Sequence, residues 1–251
     1  MEQNKQIFQP GAQMFPGAIT DSNANVRIFL SKVFSYMATA LIISGVMAWW
    51  FGTSEGLMEY LRVADPMTGQ LKPTILGWIV MFAPLGLVLV MSGMVEKMSS
   101  TVLFATFLAF SAIMGISFSY IFIIYSIGSI INVFFISSAV FGTMAVAGYT
   151  TKTDLTKLGS ILFIGLIGII IASVVDMFMG SSTMDYVISI IGVIIFTGLT
   201  AYDMQRLKVM GQTAAIGTET TNKMVLMGAL SLYLDFINLF LLLLRLFGRR
   251  D

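Results

Sequence analysis

Residues 229–248 read ALSLYLDFINLFLLLLRLFG, and this stretch decides the fold. It has the roughly 20 mostly apolar residues that a helix needs to cross a bilayer core about 30 Å thick. It also carries Asp235, and a carboxylate inside a span costs about 3 kcal/mol or more unless a partner, a proton or a cation uses it. Gly228, Ser231, Asp235, Asn238 and Arg245 follow one another at spacings of 3, 4, 3 and 7, which gathers them into one stripe along a helix. Such a stripe would be penalised against lipid. The helix is therefore expected at the centre of a bundle.

The rest of the 251 residues agree with a membrane setting. Hydrophobic residues make up 57% of the chain and charged residues 11%, with a mean hydropathy of +0.90, far from the roughly 25% charged content of a soluble domain. A net charge of +1, spread over short loops, gives no basic field for nucleic acid. The chain has no cysteine and no histidine. Disulfides, thiolate chemistry, imidazole metal sites and Ser/His nucleophilic pairs are excluded, and a response to pH near neutrality must come from carboxylates or a desolvated lysine. No cofactor is expected.

Charge and turn residues divide the sequence into seven candidate spans: Val33–Phe51, Thr74–Met94, Thr101–Tyr125, Ile130–Tyr149, Leu158–Val175, Tyr186–Gln205 and Met224–Phe247. The third and fourth share an uncharged stretch too long for one crossing, with a turn expected near Gly128. The reading is an all-α membrane protein, a seven-helix bundle with the last helix central. Residues 1–32 are expected to be a flexible polar tail, with one interfacial turn near VRIFLSKVF at most, and residues 33–251 the transmembrane domain.

Orientation follows from the basic residues. Lys5, Arg27, Lys32, Lys97, Lys152, Lys157, Arg206, Lys208 and Lys223 fall on the side of the N-terminus, against Arg62, Lys72, Arg249 and Arg250 on the other. The N-terminus is thus expected on the cytoplasmic side of the membrane and the C-terminus outside. Trp49, Trp50 and Trp78 then share the outer interface, where indole rings concentrate.

In the sixth span, Thr197, Thr200 and Asp203 recur at i+3 and form a second polar stripe able to face the first. Asp203 is expected at the cytoplasmic end of its span, while Asp235 lies roughly 16 Å into the seventh counted from Met224. One extra turn at the start of that helix would bring the two level. Two carboxyls meeting in a poorly solvated site cannot both ionise easily, so they share a proton, and the pair attracts cations. Tyr202 and Tyr233 are candidate donors to them, and Ser231, Thr200 and Asn238 are supporting polar groups. The plainer readings are an Asp203 paired with Arg206 or Lys208, serine and asparagine as interhelical glue, and Asp176 and Asp185 as solvated loop charges.

The segments FTGLTAYDMQRLK (196–208) and ALSLYLDFINLFLLLLRLFG (229–248) closely resemble the last two spans of the Bax inhibitor-1 family in its bacterial branch. The resemblance implies a bundle wrapped around a central last helix, a pH-sensitive calcium leak, and a pair of aspartates, here Asp203 and Asp235, acting as the proton-sensitive gate and holding calcium weakly in transit. The sequence departs from that pattern in the long joining segment GQTAAIGTETTNK and in having only Lys97, beside Glu96, as a basic residue near the inner end of span two.

Lipid, calcium or protons are the expected partners. Two other readings stay open. One is a non-conducting regulator that binds a membrane protease or another membrane protein. The other is an intramembrane aspartyl protease, disfavoured because SLYLD puts bulky residues where such enzymes need a Gly-rich turn before the second aspartate, and because their Pro-Ala-Leu segment is missing.

Overall fold

A computed structural model describes residues 22–64 and 71–249. Most of the expected polar tail, with Lys5, lies outside the described residues, as do Asp65 and Arg250. Helix α1 runs over Ser22–Thr53 and begins eleven residues before the expected span. Val26, Phe29, Leu30 and Val33 continue the apolar stripe of Met37, Ala40, Ser44 and Ala48 at helical spacing, and all are buried. Residues 22–32 thus belong to the packed bundle, not to a tail. Gly211 receives them: a Cβ there would stand 3.1 Å from the Val26 Cα.

A short helix α2 (Glu55–Leu61) leads into strands β1 (Arg62–Ala64) and β2 (Leu71–Pro73), which pair antiparallel with Val63 opposite Lys72. Helix α3 (Ile75–Met94) follows, its first turn capped by Thr74, whose hydroxyl oxygen accepts from Gly77 N–H at 3.0 Å. Next come α4 (Ser100–Phe118), the single turn α5 (Ile121–Ile124) and α6 (Ile127–Thr150). Thus the long uncharged stretch is two crossings, joined near the expected turn. Helix α7 (Thr156–Met179) ends on Gly180 at φ 61°, a left-handed position that suits glycine. Helices α8 (Ser182–Thr213) and α9 (Glu219–Phe247) complete the chain.

Seven helical segments among the described residues are long and apolar enough to cross a membrane. The last is the hub. Of its most apolar stretch 72% is buried by the other helices, against 6% for α7, and α1, α4, α6 and α8 all pack on it. Helix α7 packs almost wholly on α8, so its Ile, Val and Phe side chains face outward, as a lipid-facing helix requires. Trp49 and Trp50 close α1, and Trp78 opens α3 stacked on Phe82.

Candidate functional site

Helices α8 and α9 run antiparallel at close quarters because small residues let them. Gly228 on α9 takes the Leu207 side chain, and Gly192 on α8 takes Leu242. The same register sets Asp203 opposite Ser231, whose hydroxyl donates to the Asp203 carboxylate. Two corrections to the expected boundaries make this possible. Helix α8 extends to Thr213, so Asp203 lies well inside it and not at its end. Helix α9 starts at Glu219, before Met224, and most of the segment expected as a long loop is helical, leaving only residues 214–218 between the two helices.

The two aspartates meet. Asp203 is 9% exposed and Asp235 5%, and the two carboxyls are neighbours, each acting on the other. Asp235 Oδ2 is buried and takes no hydrogen bond from any hydroxyl or N–H group among the described residues. Its neighbour is the other carboxyl.

The other expected site residues sort differently. Tyr233 is fully buried, but its hydroxyl pairs with Ser44 on α1 at 2.7 Å, away from the aspartates. Tyr202 lays its ring on Gly159 of α7. Neither tyrosine donates to an aspartate, because residues one and two positions before the aspartate in a helix point to different faces from it. Thr200 is buried and donates to the Phe196 carbonyl at 2.8 Å, and the Asn238 amide donates to the Leu234 carbonyl at 2.8 Å. Both support their own helices. Lys208 donates to the Tyr149 carbonyl at 2.7 Å and lies over the Tyr149 ring, so it is not the partner of Asp203. The charge of Arg206 acts on Asp203.

A cavity of about 190 Å³ opens beside Asp203, walled by Val88 and Ser92 of α3, Arg206 and Leu207 of α8, and Met227, Ser231 and Leu234 of α9. The α3–α4 turn at its end of the bundle is gripped by the first turns of α9. Glu219 accepts from the Ser100 hydroxyl at 2.7 Å and from the Ser100 N–H, and Lys223 donates to the Glu96 carbonyl at 3.2 Å.

Sequence reasoning missed an ion pair. Arg245 donates to Asp185 at 2.6 Å, joining the last turns of α9 to the first turn of α8. Asp185 is thus a helical residue with a partner, not a solvated loop charge. The antiparallel register that sets Asp203 against Ser231 also sets Asp185 beside Arg245, a signal present once the two helices are paired. Asp176, the other supposed loop charge, accepts from Ser181 N–H at 3.2 Å. Among the described residues no three His, Cys, Asp or Glu side chains gather into a metal-holding cluster.

Residues 26–251 match the family model described as "Inhibitor of apoptosis-promoting Bax1". The chain belongs to the Bax inhibitor-1 family. An inner membrane protein of Escherichia coli, YbhL, is 41% identical over 234 residues, covering 93% of this chain and 96% of its own. An uncharacterised protein of Borreliella burgdorferi is 46% identical over 223 residues, 88% of this chain and 92% of the relative. An uncharacterised membrane protein of Streptococcus pyogenes is 36% identical over 92% of this chain and 97% of its own length. The Bax inhibitor-1 family assignment thus covers both aspartates and all seven helical spans, α1 entering at Val26.

Proposed function

We propose that the chain is a non-enzymatic cation leak of a bacterial plasma membrane, passing calcium under the control of a proton shared by Asp203 and Asp235. The supporting observation is their juxtaposition: two buried, neighbouring carboxyls, one with an oxygen that no hydroxyl or N–H among the described residues satisfies. Facing carboxyls form a hydrogen bond only when one carries a proton. With the proton bound, the contact holds α8 to α9. Without it, two like charges repel, and the pair opens or takes a cation.

The cavity beside Asp203 gives that member of the pair an approach from the end of the bundle where α9 begins, the end proposed to face the cytoplasm. Calcium prefers six to eight oxygen ligands. Two carboxylates and the Ser231 hydroxyl offer fewer, and a site that conducts must release what it captures.

The test is calcium entry into liposomes holding the purified protein. Asp235→Asn should abolish most of the flux and its dependence on pH, and Asp203→Asn should at least remove the pH dependence. Unchanged flux and pH profile in both variants would overturn the reading.

A further inference from the structure

Helix α9 is the best-buried element of the bundle, yet one line along it is left incompletely covered. From Met227 to Arg245 only Met227, Ser231, Leu234, Asn238, Leu241 and Arg245 keep some exposure, and every residue between them is buried. Their spacings of 4, 3, 4, 3 and 4 keep them on a single face. The line starts in the cavity beside Asp203, which Met227, Ser231 and Leu234 help to wall. It ends in a second cavity of about 420 Å³ at the other end of the bundle, walled by Leu241, Leu244, Arg245, Asp185 and residues of α5. Leu234 and Leu241, the last wall of one cavity and the first of the other, are separated by about 10 Å of helix. Asn238 sits between them.

This seam crosses the bundle with polar groups at both ends and one in the middle. Ser231 and Asp203 stand at one end, and Asp185 with Arg245 at the other. At the midpoint Asn238 gives its N–H to its own helix, and a side-chain amide keeps an acceptor oxygen besides. Leucines separate these stations, the arrangement of short apolar constrictions between polar ones that pores use. A carboxylate at the mouth of such a seam would draw cations. Here it is already held by the guanidinium of Arg245.

Resting on the conduction reading above, we infer that the seam on α9 is the track a cation follows between the two cavities, and that Arg245 is its tethered plug. The guanidinium occupies Asp185, the carboxylate that a passing cation needs at that mouth. Arg245 must swing off before the cation can exchange there, so the two residues of this ion pair have opposite effects. Loss of Arg245 frees the carboxylate and opens the mouth. Loss of Asp185 removes the carboxylate itself.

The chain has no cysteine, so single cysteines report on the seam cleanly. In lipid nanodiscs, where both ends are accessible, Asn238→Cys and Leu241→Cys should react with a small cationic thiol reagent roughly tenfold faster than Leu239→Cys, whose native side chain is fully buried. Arg245→Gln should raise both the reaction at position 238 and the calcium leak severalfold, Arg245→Lys should stay near the parent, and Asp185→Asn should raise neither. Equal rates at positions 238, 241 and 239 would overturn the seam. Equal effects of Arg245→Gln and Asp185→Asn, the result for a merely structural ion pair, would overturn the plug. Thiol reactivity does not depend on which ion is carried: an intact labelling pattern without calcium flux would overturn calcium conduction alone, and flux without the pattern would overturn the seam alone.

Discussion

Tyr233 on α9 lies 2.7 Å from Ser44 on α1, oxygen to oxygen, and Ser44 in turn reaches the Ser111 carbonyl on α4 at 2.7 Å. A serine hydroxyl has one hydrogen. Ser44 spends it on Ser111, so Tyr233 is the donor in the first bond, and three helices are tied through one oxygen. The Tyr233 ring meets Phe107 and Phe110 edge to face.

This direction makes the two ends of the bond unequal. Tyr233→Phe removes a donor but leaves Ser44 satisfied by Ser111, at a cost of about 0.6 to 1.5 kcal/mol. Ser44→Ala strands the tyrosine hydroxyl in an apolar pocket, at a cost of about 1 to 3 kcal/mol. Unfolding in mixed micelles should therefore rank Ser44→Ala as the more damaging. The reverse order would mean that the proton runs the other way.

Close helix contacts should be intolerant of a single methyl group. A Cβ on Gly148 would lie 2.1 Å from the Ala201 carbonyl oxygen, backbone against backbone, whereas one on Gly168 would meet nothing within 4 Å. Gly148→Ala must push α6 off α8 and should cost about 2 kcal/mol or more. Gly168→Ala should be neutral, or stabilising by up to about 1 kcal/mol through helix propensity. Melting temperatures of the two variants check the contrast.

Glu219 stands in for a local cap. It lies on α9, yet it satisfies the Ser100 N–H in the first turn of α4, a group that the helix itself leaves without a partner. Glu219→Ala should speed hydrogen exchange at the first amides of α4 while leaving those at the centre of α9 unchanged. Uniform loss of protection across both helices would show that the contact supports the whole fold and not one helix end.

Asp154 gives a pH dependence with a definite sign. The Thr156 hydroxyl and N–H both donate to its carboxylate, at 2.6 and 2.9 Å, and hold it below the usual carboxylate range. A lowered folded value means that the contribution is present above the ordinary aspartate value of about 3.9 and is lost as pH falls through the folded one. Removing the hydroxyl donor by Thr156→Val, which leaves the backbone N–H in place, should move the Asp154 titration, followed by NMR, part of the way back toward the ordinary value.

The seven spans and the central place of the last helix were legible because both follow from one-dimensional patterns: apolar runs of bilayer length, and a polar stripe that lipid would not tolerate. Helix ends were less so. Nothing in the charge pattern around Arg27 and Lys32 separates an interfacial turn from a helix; what decides it is Val26 and Phe29 packing on Gly211. The aspartates could be singled out by their cost in a membrane. The partners of Tyr202, Tyr233 and Asp185 could not, because they depend on helix rotation and on antiparallel register, which a single helix does not encode.

The contrast between α7 and α9 also bears on assembly. Helix α7 has a mean hydropathy of 2.7 over its most apolar stretch and can enter lipid unaided, but α9 brings Asp235 and Arg245 with it. Made after the other six, α9 is the helix that pairs with Ser44 through Tyr233 and with Asp203 through Ser231. A ribosome halted before residue 219 would release a hollow bundle, its inward serines and threonines uncovered. Such a product is the natural prey of membrane quality control.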